Sequence, residues 1–303
     1  MLRIENVTKT FATGLLPRRV KALDGLSLHV RSGEVYAFLG PNGAGKTTTI
    51  KIILGIIRAD SGRVWIGDEE ANRPEVRRKI GYLPDQPYFY EDLTAVEYLW
   101  LSGRLNGLSR SEIAGRIPRL LERVGLLGKE KQRLRTYSRG MLQRLGMAQA
   151  LLHDPDLLIL DEPMTGLDPI GRKEFRELIL DLKREGKTIF FSSHILADAE
   201  MISDRIGILN RGRLVRETDL LTLQNEHNGE MEIVFQYFGN HEFSVQKAPL
   251  KIDLFDQGGV IHLNDRKSVF DAIRWVEESG GSVVSVQPKR KSLEDIFMEE
   301  LQR

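Results

Sequence analysis

The chain contains no cysteine. That excludes disulfides, thiolate metal sites and cysteine nucleophiles, and it is compatible with a reducing compartment. An excess of either charge is lacking too. Lysine and arginine number 44 against 43 aspartates and glutamates, and a balance of +1 creates no global field for nucleic acid or an anionic membrane surface. Any such contact must be local, and no nucleic-acid partner is expected. Long hydrophobic runs are missing as well: crossing a bilayer takes about 18 apolar residues, whereas the candidates here are pieces such as Ile52-Ile53-Leu54 and Leu157 to Leu160. A membrane role would need a separate partner chain. The N-terminus carries Glu5 and no apolar run of the secretory type, so the chain is expected to stay cytosolic. Internal repeats and low-complexity tracts are also absent.

What the chain does have is a complete GxxxxGKT phosphate loop, Gly40-Pro41-Asn42-Gly43-Ala44-Gly45-Lys46-Thr47, between an apolar strand (Val35 to Leu39) and a helix-like run from Thr48 to Ile57. The glycines let the backbone turn tightly, so that several N–H groups face one anion at the positive end of the following helix. Lys46 is then placed to reach the β- and γ-phosphates, and the Thr47 hydroxyl suits Mg²⁺. Residues 40 to 48, Thr48 included, are the expected nucleotide-binding segment. A glycine-rich connector alone would not require glycines, lysine and threonine to coincide between a strand and a helix.

At 303 residues the chain accommodates one domain plus a smaller appendage. Short strands are expected at Leu2 to Val7, Leu26 to Val30 and Val35 to Leu39, with a loop at Thr13 to Arg19 carrying Gly14 and Pro17. A strand near Arg63 to Ile66 follows the phosphate-loop helix. Residues 92 to 153 read as mainly helical, with Leu93, Val96, Leu99 and Trp100 at helical spacing and an amphipathic stretch from Ser111 to Val124. Strand signals return at Leu157 to Leu160, Thr188 to Phe191 and Arg205 to Leu209, with helix patterns between them, which argues for a mostly parallel sheet buried on both faces.

Near residue 219 the pattern shifts to strand-like pieces, Met231 to Tyr237, Val260 to Leu263 and Ser282 to Val286, with helices at about 267–278 and 293–302. Ser292-Leu293-Glu294-Asp295 resembles a capping box opening the last helix. The preceding Lys289-Arg290-Lys291 reads as a solvated loop.

Leu157 to Leu160 run into Asp161-Glu162, two carboxylates at the carboxyl end of an apolar strand, where open α/β sheets bind ligands. Asp161 is suited to orient Mg²⁺, and Glu162 to polarise an attacking water, because both oxygens of an in-line phosphoryl transfer need charge stabilisation. Acids at a strand end are commonly a cap or a solvated turn. It is the pairing with the phosphate loop that gives them chemistry.

With these residues the chain resembles the nucleotide-binding subunit of an ATP-binding cassette (ABC) transporter over about residues 1 to 218. Tyr137-Ser138-Arg139-Gly140-Met141 is similar to the family signature, whose commonest form is LSGGQ. It departs at Tyr137, Arg139 and Met141, a variant similar to that of subunits serving exporters of drugs, antibiotics or lipids. The resemblance implies that Ser138 and Gly140 meet the γ-phosphate held by an opposite subunit. It further implies a Mg²⁺- and water-sensing role for Gln86, γ-phosphate contact for His194, a link across the dimer through Gly166-Leu167-Asp168-Pro169, and adenine stacking on Phe11. A core phenylalanine remains the rival for Phe11. For Tyr88, Phe89 and Tyr90, internal packing stands beside a groove for a permease helix.

The expected fold is α/β: a P-loop hydrolase of ABC ATPase type with a mostly parallel central sheet, N-terminal antiparallel strands and a helical insert (92–153) in a domain over 1–218, plus a small α+β accessory domain over 219–303. The function implied is that of an ATPase subunit using ATP and Mg²⁺. It would dimerise with itself or a paired subunit, and sit peripherally on the cytoplasmic face of a membrane to power a separate integral permease, in export rather than import. The other class is a soluble ABC-type ATPase of translation or DNA maintenance. Against it stand a single phosphate loop and the lack of any sustained heptad run between Lys46 and Asp161.

Overall fold

Every residue of Val35–Leu39 and of Leu157–Asp161 is buried. Strands of continuous apolar residues need cover on both faces, and the topology supplies it. The computed structural model describes residues 1–13, 18–225, 230–237, 251–288 and 292–302. Most of the loop expected at Thr13 to Arg19, and the run Lys289-Arg290-Lys291, lie outside them.

In chain order the elements are β1 (Leu2–Thr13), β2 (Arg18–Val30), β3 (Val35–Leu39), α1 (Lys46–Ile53), β4 (Ser61–Ile66), β5 (Glu69–Glu70), α2 (Pro74–Arg77) and β6 (Ile80–Leu83). Three helices follow, α3 (Ala95–Leu105), α4 (Arg110–Arg123) and α5 (Arg139–Leu151). The chain then alternates β7 (Leu157–Asp161), α6 (Pro169–Arg184), β8 (Thr188–Ser193), α7 (Leu196–Ile202) and β9 (Arg205–Asn210) before β10 (Arg213–Asp219) and α8 (Leu220–Asn225). The last elements are β11 (Met231–Tyr237), β12 (Lys251–Phe255), β13 (Gly258–Leu263), α9 (Val269–Glu278), β14 (Gly281–Pro288) and α10 (Leu293–Gln302).

The central sheet has the order β10-β9-β3-β8-β7-β6, parallel except for β10, which returns antiparallel to β9. The carboxyl ends of β3, β7 and β8 therefore lie along one edge. A second, antiparallel sheet has the order β2-β1-β4-β5. Its apolar side chains, Leu2, Ile4, Leu26 and Val64 among them, share one core with Phe38, Ile50, Ile159 and Phe190. The helical insert begins as its caps dictate: Thr94 with Glu97 and Ser109 with Glu112 each form a reciprocal capping box at the start of α3 and α4.

The chain divides into one unit of Met1–Leu220 with Phe297–Arg303 and another of Leu221–Ile296. In the second, an antiparallel sheet of order β12-β13-β11-β14 packs Ile233, Phe235, Ile261 and Leu263 against Ala272 and Val276 of α9. The capping box expected at the last helix is present: Asp295 N donates to Ser292 Oγ at 3.1 Å, and Ser292 N donates to Asp295 Oδ2 at 3.1 Å. The final turns of α10 group with the first unit, where Glu300 is buried and meets Arg216 at 3.5 Å.

Candidate functional site

The phosphate loop joins β3 to α1 under steric constraints that only glycine meets at two positions. A Cβ on Gly40 would stand 2.6 Å from the Leu209 carbonyl oxygen, and one on Gly45, at φ 115°, 2.6 Å from that of Ala22. The loop cannot open without moving β9 or β2. No side chain caps α1, so the N–H groups of its first turn keep their capacity for an anion. Lys46 is buried; its Nζ donates to the Gly40 carbonyl at 2.6 Å and lies 3.2 Å from Glu162 Oε1.

Parallel pairing sets Asp161 at the end of β7 opposite Ser192 of β8. Ser192 Oγ donates to Asp161 Oδ1 at 2.6 Å and accepts from Glu162 N at 3.0 Å, so one hydroxyl orients both acids. Burial holds the Asp161 carboxyl above the usual carboxylate range; hydrogen bonds from Ser192 and Thr47 oppose the shift, and the charges of Glu162 and Asp85 add to it. Burial also pushes the Tyr82 phenol to about 12, with Asp161 and Asp85 adding to the rise. The two carboxylates and the phenol share one field.

Glu162 adopts φ 48°, a left-handed conformation uncommon outside glycine and frequent where function fixes a backbone. Its Oε2 lies 2.7 Å from His194 Nδ1 and accepts from Thr165 Oγ1 at 3.3 Å. Pro41, Asn42, Gly43, Gly45, Lys46, Thr47 and Thr48 line a cleft together with Ala22, Asp85, Glu162, Thr165 and His194. A larger cleft of about 520 Å³ beside Arg58, Arg63 and Arg77 contains none of the loop and no acid–base pair comparable to Glu162 and His194.

Gln86 is not among these lining residues. It is exposed, and its neighbour Asp85 lines the cleft. The segment is bounded by Pro84 and Pro87, which favour extended backbone, and adjacent side chains of an extended segment point opposite ways. Thr47 and Asp85 line the cleft, and Asp161, hydrogen-bonded to Thr47, lies behind them; these oxygen donors suit a hard divalent cation such as Mg²⁺, and Asp85 Oδ1 is buried with no hydrogen-bond partner among the described residues. Among those residues no three acidic or imidazole groups form a cage by themselves.

Ser138 accepts from Met141 N at 3.3 Å and caps α5, and Gly140 sits in its first turn. The Arg139 guanidinium lies against Gly166, and the buried Gln143 Nε2 donates to the Pro163 carbonyl at 3.0 Å, tying this helix to the loop after Glu162. Asp168 accepts from Gly171 N at 2.7 Å with Pro169 as the first helical residue, so it caps α6. Ser138, Gly140 and Asp168 do not line the phosphate cleft of their own chain. Neither does Phe11, a half-exposed residue of β1 with Lys9 Nζ 5.5 Å above its ring. Sequence reasoning missed Ser192, Thr165 and Asp85. Their signals were a hydroxyl two residues before the histidine, one three residues after the acid, and the other polar residue between Pro84 and Pro87.

A family model described as ABC transporter matches residues 23–165. An uncharacterized ABC transporter ATP-binding protein of Nostoc sp. is 41% identical, over 98% of this chain and 89% of its own length. The bacitracin transport ATP-binding protein of Bacillus licheniformis is 39% identical, over 92% of each chain. A dimeric ATP-binding cassette solved in a post-hydrolysis state, bound to ADP and Pi, is 28% identical with a TM-score of 0.67, covering 73% of this chain and 99% of that one.

Proposed function

Because this chain belongs to the ABC transporter family as an ATP-hydrolysing subunit, we propose that two copies close head to tail around two Mg·ATP, hydrolyse them and reopen, driving a separate membrane permease. The observation that supports this most is one carboxylate, Glu162, touching both the phosphate-loop lysine and His194. Lys46 leaves Glu162 for the β- and γ-phosphate oxygens, whose charge it neutralises. The released carboxylate then takes a proton from the attacking water, with His194 steadying its other oxygen. Thr47 and Asp161 would hold Mg²⁺, which when bound would supply charge neutralisation at the phosphates.

The capped end of α5, away from its own cleft, serves the partner's nucleotide through Ser138 and Gly140, with Asp168 beside it. Phe11 stacks on adenine at the open side. ATP thus favours the closed pair, and its loss removes that preference.

Tyr88, Phe89, Tyr90, Tyr98, Leu101 and Leu105 border an aromatic groove in which Tyr88 is 89% and Leu105 79% exposed. Apolar surface of this kind suits a cytoplasmic helix of the permease. None of the helices among the described residues is long and apolar enough to cross a membrane. The subunit accordingly works as a peripheral protein on the cytoplasmic face, and the likeness to a bacitracin transport protein supports export. The segment after residue 219 offers no catalytic constellation and acts as an accessory domain.

Purification from detergent-solubilised native membranes tests this reading. Recovery of a multi-span protein together with ATP-dependent phosphate release supports it, and recovery of RNA or ribosomes instead overturns it.

A further inference from the structure

His194 stands between the end of β8 and the start of α7, a helix of only 7 residues with no side chain capping its first turn. A helix that short does not hold itself in water, so its direction is set by what it packs on. Ala199 and Ile202 bury its apolar side, a contact that fixes depth but not direction. The directional contact is Asp198. Its Oδ1 accepts from Arg176 Nη1 at 2.6 Å, and Arg176 belongs to α6, a helix of 16 residues capped by Asp168 and buried along Phe175, Leu178, Ile179 and Leu182. At the other side of the turn Ile195 N donates to Ser193 Oγ at 2.9 Å, so His194 is gripped closely between β8 and α7.

Stability gives no reason for this ion pair. Burying two charges costs about what their attraction returns, and an apolar pair of similar size would serve the packing as well. Asp198 is buried, and its Oδ2 has no hydrogen-bond partner among the described residues, which adds to the cost. What a charged hydrogen bond supplies, and apolar packing does not, is a fixed geometry. We infer that Asp198 is a positioning residue for hydrolysis: anchored by Arg176, it sets the direction of α7 and so keeps the His194 imidazole against Glu162. The inference rests on the role proposed above for His194.

The test is steady-state phosphate release by the full chain, with kcat and KM for Mg·ATP measured in single variants and on a His194→Ala background. Asp198→Asn keeps the shape of the side chain and removes its charge. Its kcat falls about tenfold while KM stays unchanged, because a misplaced imidazole affects the chemical step and not ATP capture. Added to His194→Ala, the same substitution costs nothing further, since the group it acts through is already gone. Arg176→Gln breaks the pair from α6 and shows the same dependence on His194, which decides the matter even if Asp198→Asn does not fold. A tenfold loss that persists on the His194→Ala background overturns the inference, as does full turnover in a folded Asp198→Asn. Full turnover in His194→Ala itself would instead sink the role given to that histidine.

Discussion

Nδ1 of His194 lies 2.7 Å from Oε2 of Glu162, although the two residues follow different strands, β7 and β8. The contact exists because those strands are parallel neighbours, with Asp161 at the end of β7 paired to Ser192, one residue before the end of β8. A residue just past each end meets the other. The remaining Glu162 oxygen faces Lys46, so one side chain joins the phosphate-loop lysine to the histidine after β8.

Glu162→Gln keeps the size of the side chain and removes its basicity. Phosphate release should fall by on the order of 10²- to 10⁴-fold while ATP affinity stays nearly unchanged. Single-turnover hydrolysis close to the wild-type rate would refute Glu162 as the base.

His194→Ala removes the imidazole beside Oε2, leaving Thr165, without touching the phosphate loop. A loss of about 10²-fold in turnover is expected, with ATP binding retained in a titration. A variant that loses binding and turnover in equal measure would place His194 in nucleotide capture instead.

Ser192→Ala leaves a buried oxygen of Asp161 and the N–H of Glu162 without their shared hydroxyl. Stability should drop by about 1–3 kcal/mol, read as a lower midpoint of denaturant unfolding. An unchanged midpoint would mean that the hydroxyl is not required to satisfy either group.

Much of this was legible in the sequence because the chemistry is local. Gly40 to Thr47 carry their own geometry, and the apolar runs before Leu39 and Asp161 announce buried parallel strands. β6 and β10 were not read. Gly81 interrupts the apolar signal of the first, and the second carries Arg213, Arg216, Glu217 and Asp219 on a half-exposed edge. β10 is held by charges no pattern reveals: Arg205 lies 2.9 Å from Glu217 and 3.1 Å from Glu34. Ser192 and Asp85 escaped for a related reason. Their neighbours come from strand register, which joins residues far apart in the chain. β12 was missed as a mostly exposed strand with Lys251 and Asp253 alternating with Ile252.

The aromatic groove yields a prediction that separates coupling from catalysis. Tyr88→Ala combined with Tyr90→Ala should abolish recovery of the chain with native membranes, because the pair supplies apolar surface at the groove's rim. Phosphate release by the isolated protein should persist. Membrane recovery equal to the wild type would move the docking surface elsewhere.

The proposed cycle requires that triphosphate be trapped between Lys46 of one molecule and the Ser138 end of α5 of another. The most direct measurement is the mass of Glu162→Gln by light scattering, with saturating ATP and Mg²⁺ and then with ADP, both alone and assembled with its membrane permease. A nucleotide-dependent dimer that falls apart in ADP, and that Ser138→Arg prevents, is the predicted result. Cassettes that stay apart in every one of these conditions would contradict it.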